Sequence, residues 1–125
     1  MKDLIYLASP YSDPSPLIRH TRFLEACSAA AFLFQRGYLV FSPIAHTHPI
    51  KELSTMSGNW ESWQEYDEIM LSRCDALRVL CIPGWKGSVG VQKEVELARW
   101  SLMPVQYMRK EKEGEYSFSK EEVTD

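Results

Sequence analysis

Hydrophobic and polar positions along this chain alternate between two kinds of pattern. Short, nearly continuous apolar runs are typical of strands buried in a parallel sheet, and longer segments with apolar positions three to four residues apart are typical of amphipathic helices. The short runs predict strands at residues 3–9, 38–42, 76–82 and 105–108. The longer segments predict helices at residues 16–36, 60–74 and 88–102. Between the second predicted strand and the second predicted helix, a long loop is predicted from Pro43 to Asn59.

This order of elements predicts an α/β fold. Strands that alternate with helices form a doubly wound, mainly parallel sheet of the Rossmann or flavodoxin kind, here with four to five strands and helices on both faces. Residues 1–108 are predicted to form one domain, and residues 109–125 a charged C-terminal tail. Ligands of such sheets bind beyond the carboxyl ends of the strands, so a site is expected in the loops after the first three strands.

Composition and charge exclude several classes of partner. The 125 residues suit one domain, and the net charge of −3 gives no electrostatic reason to expect nucleic acid or an acidic membrane as a partner. Three cysteines without metal-type spacing predict free thiols in a reducing compartment. No targeting segment or membrane span is evident, which predicts a cytoplasmic location.

The first helix is apolar nearly all round from Ala26 to Phe34. Such a helix lies either at a subunit interface or under the sheet. We favour the interface, which predicts a homo-oligomer, either a dimer or a tetramer.

A glycine-rich turn joins the third predicted strand to the third helix. Its backbone N–H groups, near Gly87 and Gly90, can approach an anionic ligand. Ser88 is a plausible helix N-cap there, and the same geometry would let it donate to a phosphate.

Two carboxylates fall on apolar faces of the predicted helices. At 100° per residue, Glu94 lies at the edge of an apolar stripe, one turn after Gly90, whereas Glu96 points to solvent. Asp67 lies inside the apolar face of the second helix. A buried carboxylate is kept for function or for a structural bond, so each residue is either catalytic or internally paired. Asp75 is expected to brace the end of its helix.

Other candidates lie at the predicted strand ends. His46 and His48 alternate in the long loop, but no third ligand has suitable spacing, so we predict ligand contact or loop bracing and no metal. Tyr6 belongs either to the core or to the site. Trp85 and Tyr11 offer aromatic faces on which a base could stack.

Three stretches resemble the nucleoside 2-deoxyribosyltransferase-like superfamily, which includes deoxynucleoside monophosphate N-glycosidases. These stretches are residues 6–12, 42–48 and 83–94, and the most specific piece is Ser88-x-Gly90-Val91-x-x-Glu94. The resemblance is closest to a small bacterial and phage branch of uncharacterised proteins. The chain differs from the glycosidases at Ser9-Pro10-Tyr11-Ser12, where they have a Gly-Ser turn and a nearby basic residue.

The resemblance implies roles for particular residues. Glu94 would be the nucleophile, Asp67 would assist catalysis, Tyr6 would lie beside Glu94, and Ser88 would contact a nucleotide phosphate. It implies no metal and no organic cofactor.

Three hypotheses follow. The first is cleavage or transfer at the N-glycosidic bond of a nucleoside or nucleotide. The second is a non-catalytic nucleotide-binding or sensing module, and the third is a structural oligomer whose carboxylates are internally paired. The first hypothesis predicts catalytic residues Glu94, Asp67 and Tyr6. It also predicts that substrate is bound by Ser9, Tyr11, His46, His48, Trp85, Gly87, Ser88 and Gly90.

Overall fold

A computed structural model describes residues 2–55 and 60–120 of the chain. Five strands and four helices follow one another in these residues. In chain order they are β1 Leu4–Ala8, α1 Pro16–Gln35, β2 Leu39–Phe41, α2 Pro43–Glu52, α3 Trp60–Ser72, β3 Ala76–Leu80, α4 Val89–Trp100, β4 Val105–Lys112 and β5 Glu115–Ser119. The predicted α/β class is confirmed.

One sheet holds all five strands, in the order β2-β1-β3-β4-β5. The first four strands are parallel, with Tyr6 of β1 opposite Leu77 of β3, and β5 is antiparallel to β4. The sheet is therefore mixed and not purely parallel. β1 and β3 lie inside it and are buried after their first residue, as their continuous apolar sequences predict.

Alternate side chains of the inner strands build two cores, one on each face of the sheet. On one face, Tyr6 and Leu77 pack with α3 and α4, through Leu71 and Val91 among others. On the other face, Leu7 belongs to a separate cluster with residues of α1. The helices thus cover both faces of the sheet, and α4 lies directly above Tyr6.

The segment from Pro43 to Glu52 forms helix α2, so the prediction of a long loop there was wrong. Ser42 is its N-cap, because its hydroxyl accepts a hydrogen bond from the Ala45 N–H at 3.2 Å. A proline at the first helical position suits this start. Pro49 lies inside the helix. Because proline disfavours the interior of a helix, its presence makes this segment look like a loop in the sequence. Residues 56–59 of the predicted loop lie outside the described residues.

The segment predicted as a charged tail is partly structured. β4 continues to Lys112, and β5 pairs with it antiparallel. Tyr116 packs its ring against Phe32 of α1, at 4.8 Å between centroids. Residues 109–119 therefore extend the domain beyond the predicted boundary at residue 108. The last predicted tail residues, 121–125, lie outside the described residues. Within the described ranges, the helices are too short or too polar to cross a bilayer.

Candidate functional site

A cavity of about 460 Å³ opens beyond the carboxyl ends of β1 and β3. Its walls come from the loop after β1, from α1, α2 and α3, and from the turn that begins α4. This is the edge of the sheet at which the sequence predicts a site. Both candidate carboxylates, Asp67 and Glu94, line the cavity.

Glu94 is only 5% exposed, and its carboxylate accepts a hydrogen bond from the Tyr6 hydroxyl through Oε2. Burial first, and then the charge of Asp67, raise the pKa of Glu94 to about 8, while the hydrogen bond from Tyr6 acts in the opposite direction. Burial and the nearby Glu94 also raise the pKa of Tyr6 well above its usual value, so the phenol stays a donor. Tyr6 therefore serves both the core and the site.

Asp67 is 8% exposed, and its Oδ1 has no hydrogen-bond partner. Burial raises the pKa of Asp67 to about 7. Neither Asp67 nor Glu94 forms an ion pair with a lysine or arginine in the described part of the chain. Among these residues, Asp67 Oδ1 lacks the internal pairing that the third hypothesis requires, whereas Glu94 is hydrogen-bonded to Tyr6.

The two carboxyl groups interact electrostatically and both resist ionisation. Near neutral pH such a pair holds at least one proton, so one member can act as an acid while the other acts as a base or nucleophile. Their titration belongs to the pair rather than to either residue alone. This is the arrangement that hydrolysis at an acetal-like carbon requires.

The start of α4 brings three predicted binding residues to the cavity. Gly87, Ser88 and Gly90 all line it, and the Ser88 hydroxyl accepts the Val91 N–H at 3.3 Å as the helix cap. Ser9, at the end of β1, also lines the cavity, and its buried Oγ has no hydrogen-bond partner. Both serines can still donate a hydroxyl hydrogen to a ligand.

Tyr11 lines the cavity, while His48 supports it from behind. The Tyr11 hydroxyl lies 2.6 Å from Nδ1 of His48, and the buried His48 ring stacks on Phe23 at 4.3 Å between centroids. Burial lowers the pKa of His48, which favours the neutral imidazole, against the opposing effect of the Glu52 carboxylate. Of the roles predicted for His48, the structure shows bracing.

His46 lies outside the cavity lining. It is exposed, and its ring stacks on Tyr66 at 6.1 Å between centroids. No group of metal-ligating side chains occurs in residues 2–55 and 60–120.

Trp85 does not reach the cavity. It is only 2% exposed, and it packs in the core against Tyr107, at 5.7 Å between centroids. Trp60 and Trp63 of α3 line the cavity instead. They precede Asp67 on the same helix by seven and four residues, a helical spacing that places all three side chains near one face. From that spacing, the sequence could have predicted that the two tryptophans line the site beside Asp67.

Sequence reasoning also missed two cations. Arg22 of α1 lines the cavity and donates to the Ser12 carbonyl at 2.8 Å, with a longer bond to the Pro83 carbonyl at 3.5 Å. Lys51 of α2 lines it as well. Lys51 gave no signal, because its segment was predicted to be a loop. Arg22 was one of several charges on an otherwise apolar helix.

The fold and the cavity define a class: a small α/β domain with two buried carboxyl groups and two cations at the carboxyl edge of its sheet. Within that class, the chain belongs to the family described as "domain of unknown function (DUF1937)", which residues 3–110 match. No curated protein matches the chain.

Proposed function

We propose that the protein cleaves or transfers at the N-glycosidic bond of a nucleoside or nucleotide, with Glu94 as the nucleophile. The observation that carries the proposal is the presence of two buried carboxyl groups, Glu94 and Asp67, in one cavity of substrate size. Glycosidic cleavage in general uses such a pair, one member as acid and the other as nucleophile or base.

The fold supports this proposal. The strand order β2-β1-β3-β4-β5 is that of flavodoxin-like doubly wound sheets, with the last strand reversed. The resemblance to nucleoside 2-deoxyribosyltransferase-like proteins implies the same architecture and the same roles for Glu94, Asp67 and Tyr6.

The chemistry divides between the two carboxyls. Glu94, as carboxylate, attacks the anomeric carbon of the sugar while the bond to the base breaks. Asp67, as the neutral acid, donates its proton to the departing base. Water or a second base then attacks the glycosyl–enzyme ester, and Asp67 takes up the proton of that nucleophile. Tyr6 orients Glu94 throughout and stabilises its charged form.

One part of the cavity wall suits a phosphorylated substrate, although Asp13 and Glu61 also line the cavity. Arg22 and Lys51 supply positive charge, and Ser88 with the neighbouring glycine amides supplies neutral donors. The proposed substrate is therefore a nucleoside monophosphate, with the 5′-phosphate beside Arg22 and Ser88. Trp60 and Trp63 take the stacking role that the sequence assigned to Trp85.

A second candidate is a nucleotide-binding module without catalysis, and one observation favours it. Burial raises the pKa of both Glu94 and Asp67, to about 8 and about 7. Neutral carboxyls do not repel a phosphate, and they can hydrogen-bond to a base. Catalysis requires the ionised form of Glu94, whereas binding alone does not.

The deciding experiment is incubation with a panel of nucleosides and nucleoside monophosphates, with free base measured by chromatography. We expect base release from at least one monophosphate. Glu94→Gln should lower the rate by about 10³-fold or more, because the amide cannot form the glycosyl ester. Glu96→Gln, two residues along the same helix but exposed, is the matched control and should leave the rate unchanged.

Base release that survives Glu94→Gln would remove Glu94 as the nucleophile. Saturable binding of a monophosphate without release of base would establish the second candidate in its place. The homo-oligomer and the cytoplasmic location stay predictions.

The pH profile tests the division of roles. If Glu94 must be ionised and Asp67 protonated, activity is bell-shaped and highest between about pH 7 and pH 8, given pKa values of about 8 and about 7. Asp67→Asn should lower the maximum by about 10²-fold and abolish the alkaline decline. An alkaline decline that persists in Asp67→Asn would assign the acid to another group.

A further inference from the structure

A second cavity, of about 830 Å³, opens at the opposite edge of the sheet. It lies against the amino-terminal parts of β1, β3 and β4 and shares no lining residue with the candidate active site. Neither the sequence motifs nor the proposed function accounts for it.

Arg78 of β3 forms the inner wall of this second cavity. Its side chain is only 9% exposed, and its guanidinium lies 4.6 Å from the ring centroids of both Tyr38 and Phe118. These cation–π contacts stabilise the charge in part. Nη1 nevertheless has no hydrogen-bond partner in the described residues. An unpaired donor on a buried charge is costly unless a ligand or solvent satisfies it.

Further positive charges surround Arg78. Lys2, Arg36 and Lys120 also line the cavity, and Asp3 is the only acidic residue in its described lining. Lys2 donates to the Gly37 carbonyl at 2.9 Å, so one cation is partly engaged. The chain as a whole carries a net charge of −3, so this concentration of cations runs against its overall charge.

We propose that this cavity binds a small anion with two or more linked phosphate groups, with Arg78 as its buried anchor. A guanidinium can contact phosphate oxygens through parallel N–H bonds, and the lysines add charge at the rim. The volume exceeds what a single phosphate requires and suits a di- or triphosphate group. The inference stands independently of the proposed glycosidase activity, because the two cavities are separate.

The test is isothermal titration of the full chain with inorganic pyrophosphate at low ionic strength and about neutral pH. We expect saturable binding that weakens as salt is added. Arg78→Met, which keeps a long apolar side chain between the two rings, should weaken binding by about tenfold or more. Arg73→Met, at an exposed arginine outside both cavities, is the matched control and should bind as the wild type does.

Two further variants keep the proposal falsifiable if Arg78→Met fails to fold. Lys120→Ala, at the exposed rim, should fold normally and weaken binding by about three- to tenfold. Arg22→Met removes a cation from the candidate active site and should leave unchanged the component of binding that Lys120→Ala weakens. Loss of binding in Arg22→Met but not in Lys120→Ala would place the anion in the other cavity and overturn the proposal.

The acidic residues that follow Lys120 in the sequence are the competing occupant to be tested. Residues 121–125 follow Lys120 directly and include Glu121, Glu122 and Asp125. A chain truncated after Lys120 should bind pyrophosphate with an affinity close to that of the full chain. Binding by the truncated chain alone would show that these carboxylates fill the site in cis. Absence of saturable binding in both chains would overturn the proposal and leave Arg78 with a structural role only.

Discussion

At the residue scale, Glu94 is subject to two opposing influences. Its burial favours the neutral acid, whereas the hydrogen bond from Tyr6 favours the carboxylate. Burial prevails, so Glu94 is mostly protonated at neutral pH, yet its oxygen is already oriented by a donor from β1. If Glu94 is the nucleophile, as we propose, this preorganised hydrogen bond means that little rearrangement is needed when the carboxyl ionises.

Tyr6→Phe should therefore shift the activity profile as well as lower it. Without the phenol, the pKa of Glu94 rises further, because a bond that stabilised the anion is lost. We expect the maximal rate to fall by about 10- to 100-fold and the alkaline limb of the rate profile, which follows the higher of the two pKa values, to move to higher pH. The measurement is kcat/KM for base release between about pH 5 and pH 9.

The matched control is Tyr107→Phe, which removes another buried hydroxyl, one that bonds to Arg99 at 2.7 Å outside the cavity lining. It should leave the profile in place. A fall in rate without any pH shift in Tyr6→Phe would mean that Tyr6 acts through packing alone.

At the scale of elements, Arg22 connects α1 to the loops after β1 and β3. Its guanidinium donates to carbonyls of both loops and lies directly against Gly84. Gly84 has φ of +94°, a conformation that side chains rarely adopt, and a Cβ there would meet the Arg22 guanidinium. The cavity wall thus depends on Gly84, which can adopt the positive φ of this turn and leaves space for the Arg22 guanidinium.

Gly84→Ala should destabilise the protein by about 2 to 4 kcal/mol, since backbone strain and displacement of Arg22 add together. Gly114→Ala is the matched control, because Gly114 has φ of +76° but open space around it. That control should cost about 1 to 2 kcal/mol from strain alone. Urea unfolding gives both values, and equal losses in the two variants would show that the Arg22 contact is without consequence.

Local signals in the sequence predicted most of the elements but failed where two signals conflicted. Ser15-Pro16 and Ser88 marked the starts of α1 and α4 correctly, since caps act within one turn. α2 carries the same signal, Ser42-Pro43, which the loop prediction did not use, and Pro49 within the segment opposes that signal. The error left Lys51 without a helical phase that could place it beside the site, whereas His46 and His48 of the same segment were chosen by residue type.

At the scale of the whole molecule, the sequence predicted which edge of the sheet holds the site but not all of its walls. Helical phase separated Glu94 from Glu96, and the parallel sheet brought Glu94 and Asp67 together. Trp85 was misplaced because the turn that holds it folds back into the core, a tertiary contact with no local signal. The hairpin of β4 and β5 was missed because β5 is mostly exposed and its aromatic residues pack against Phe32 of a distant helix.

The buried carboxyls also make the stability of the whole domain depend on pH. The pKa of Asp67 rises from 3.8 to about 7 on folding, and that of Glu94 from 4.5 to about 8. The folded state therefore holds its protons more tightly than the unfolded state does. The stability associated with these protons is fully present below the unfolded-state pKa values of 3.8 and 4.5 and is lost as pH rises towards about 8.

Asp67→Asn should remove part of this pH dependence. The amide stays neutral, so the free energy of unfolding of the variant should exceed that of the wild type increasingly as pH rises, by up to about 4 kcal/mol between pH 4 and pH 8. Urea unfolding across this range measures the difference. Glu65→Gln, at an exposed position of the same helix, is the control and should parallel the wild type. Parallel curves for Asp67→Asn and the wild type would show that Asp67 ionises freely in the folded protein, which would also withdraw it as the catalytic acid.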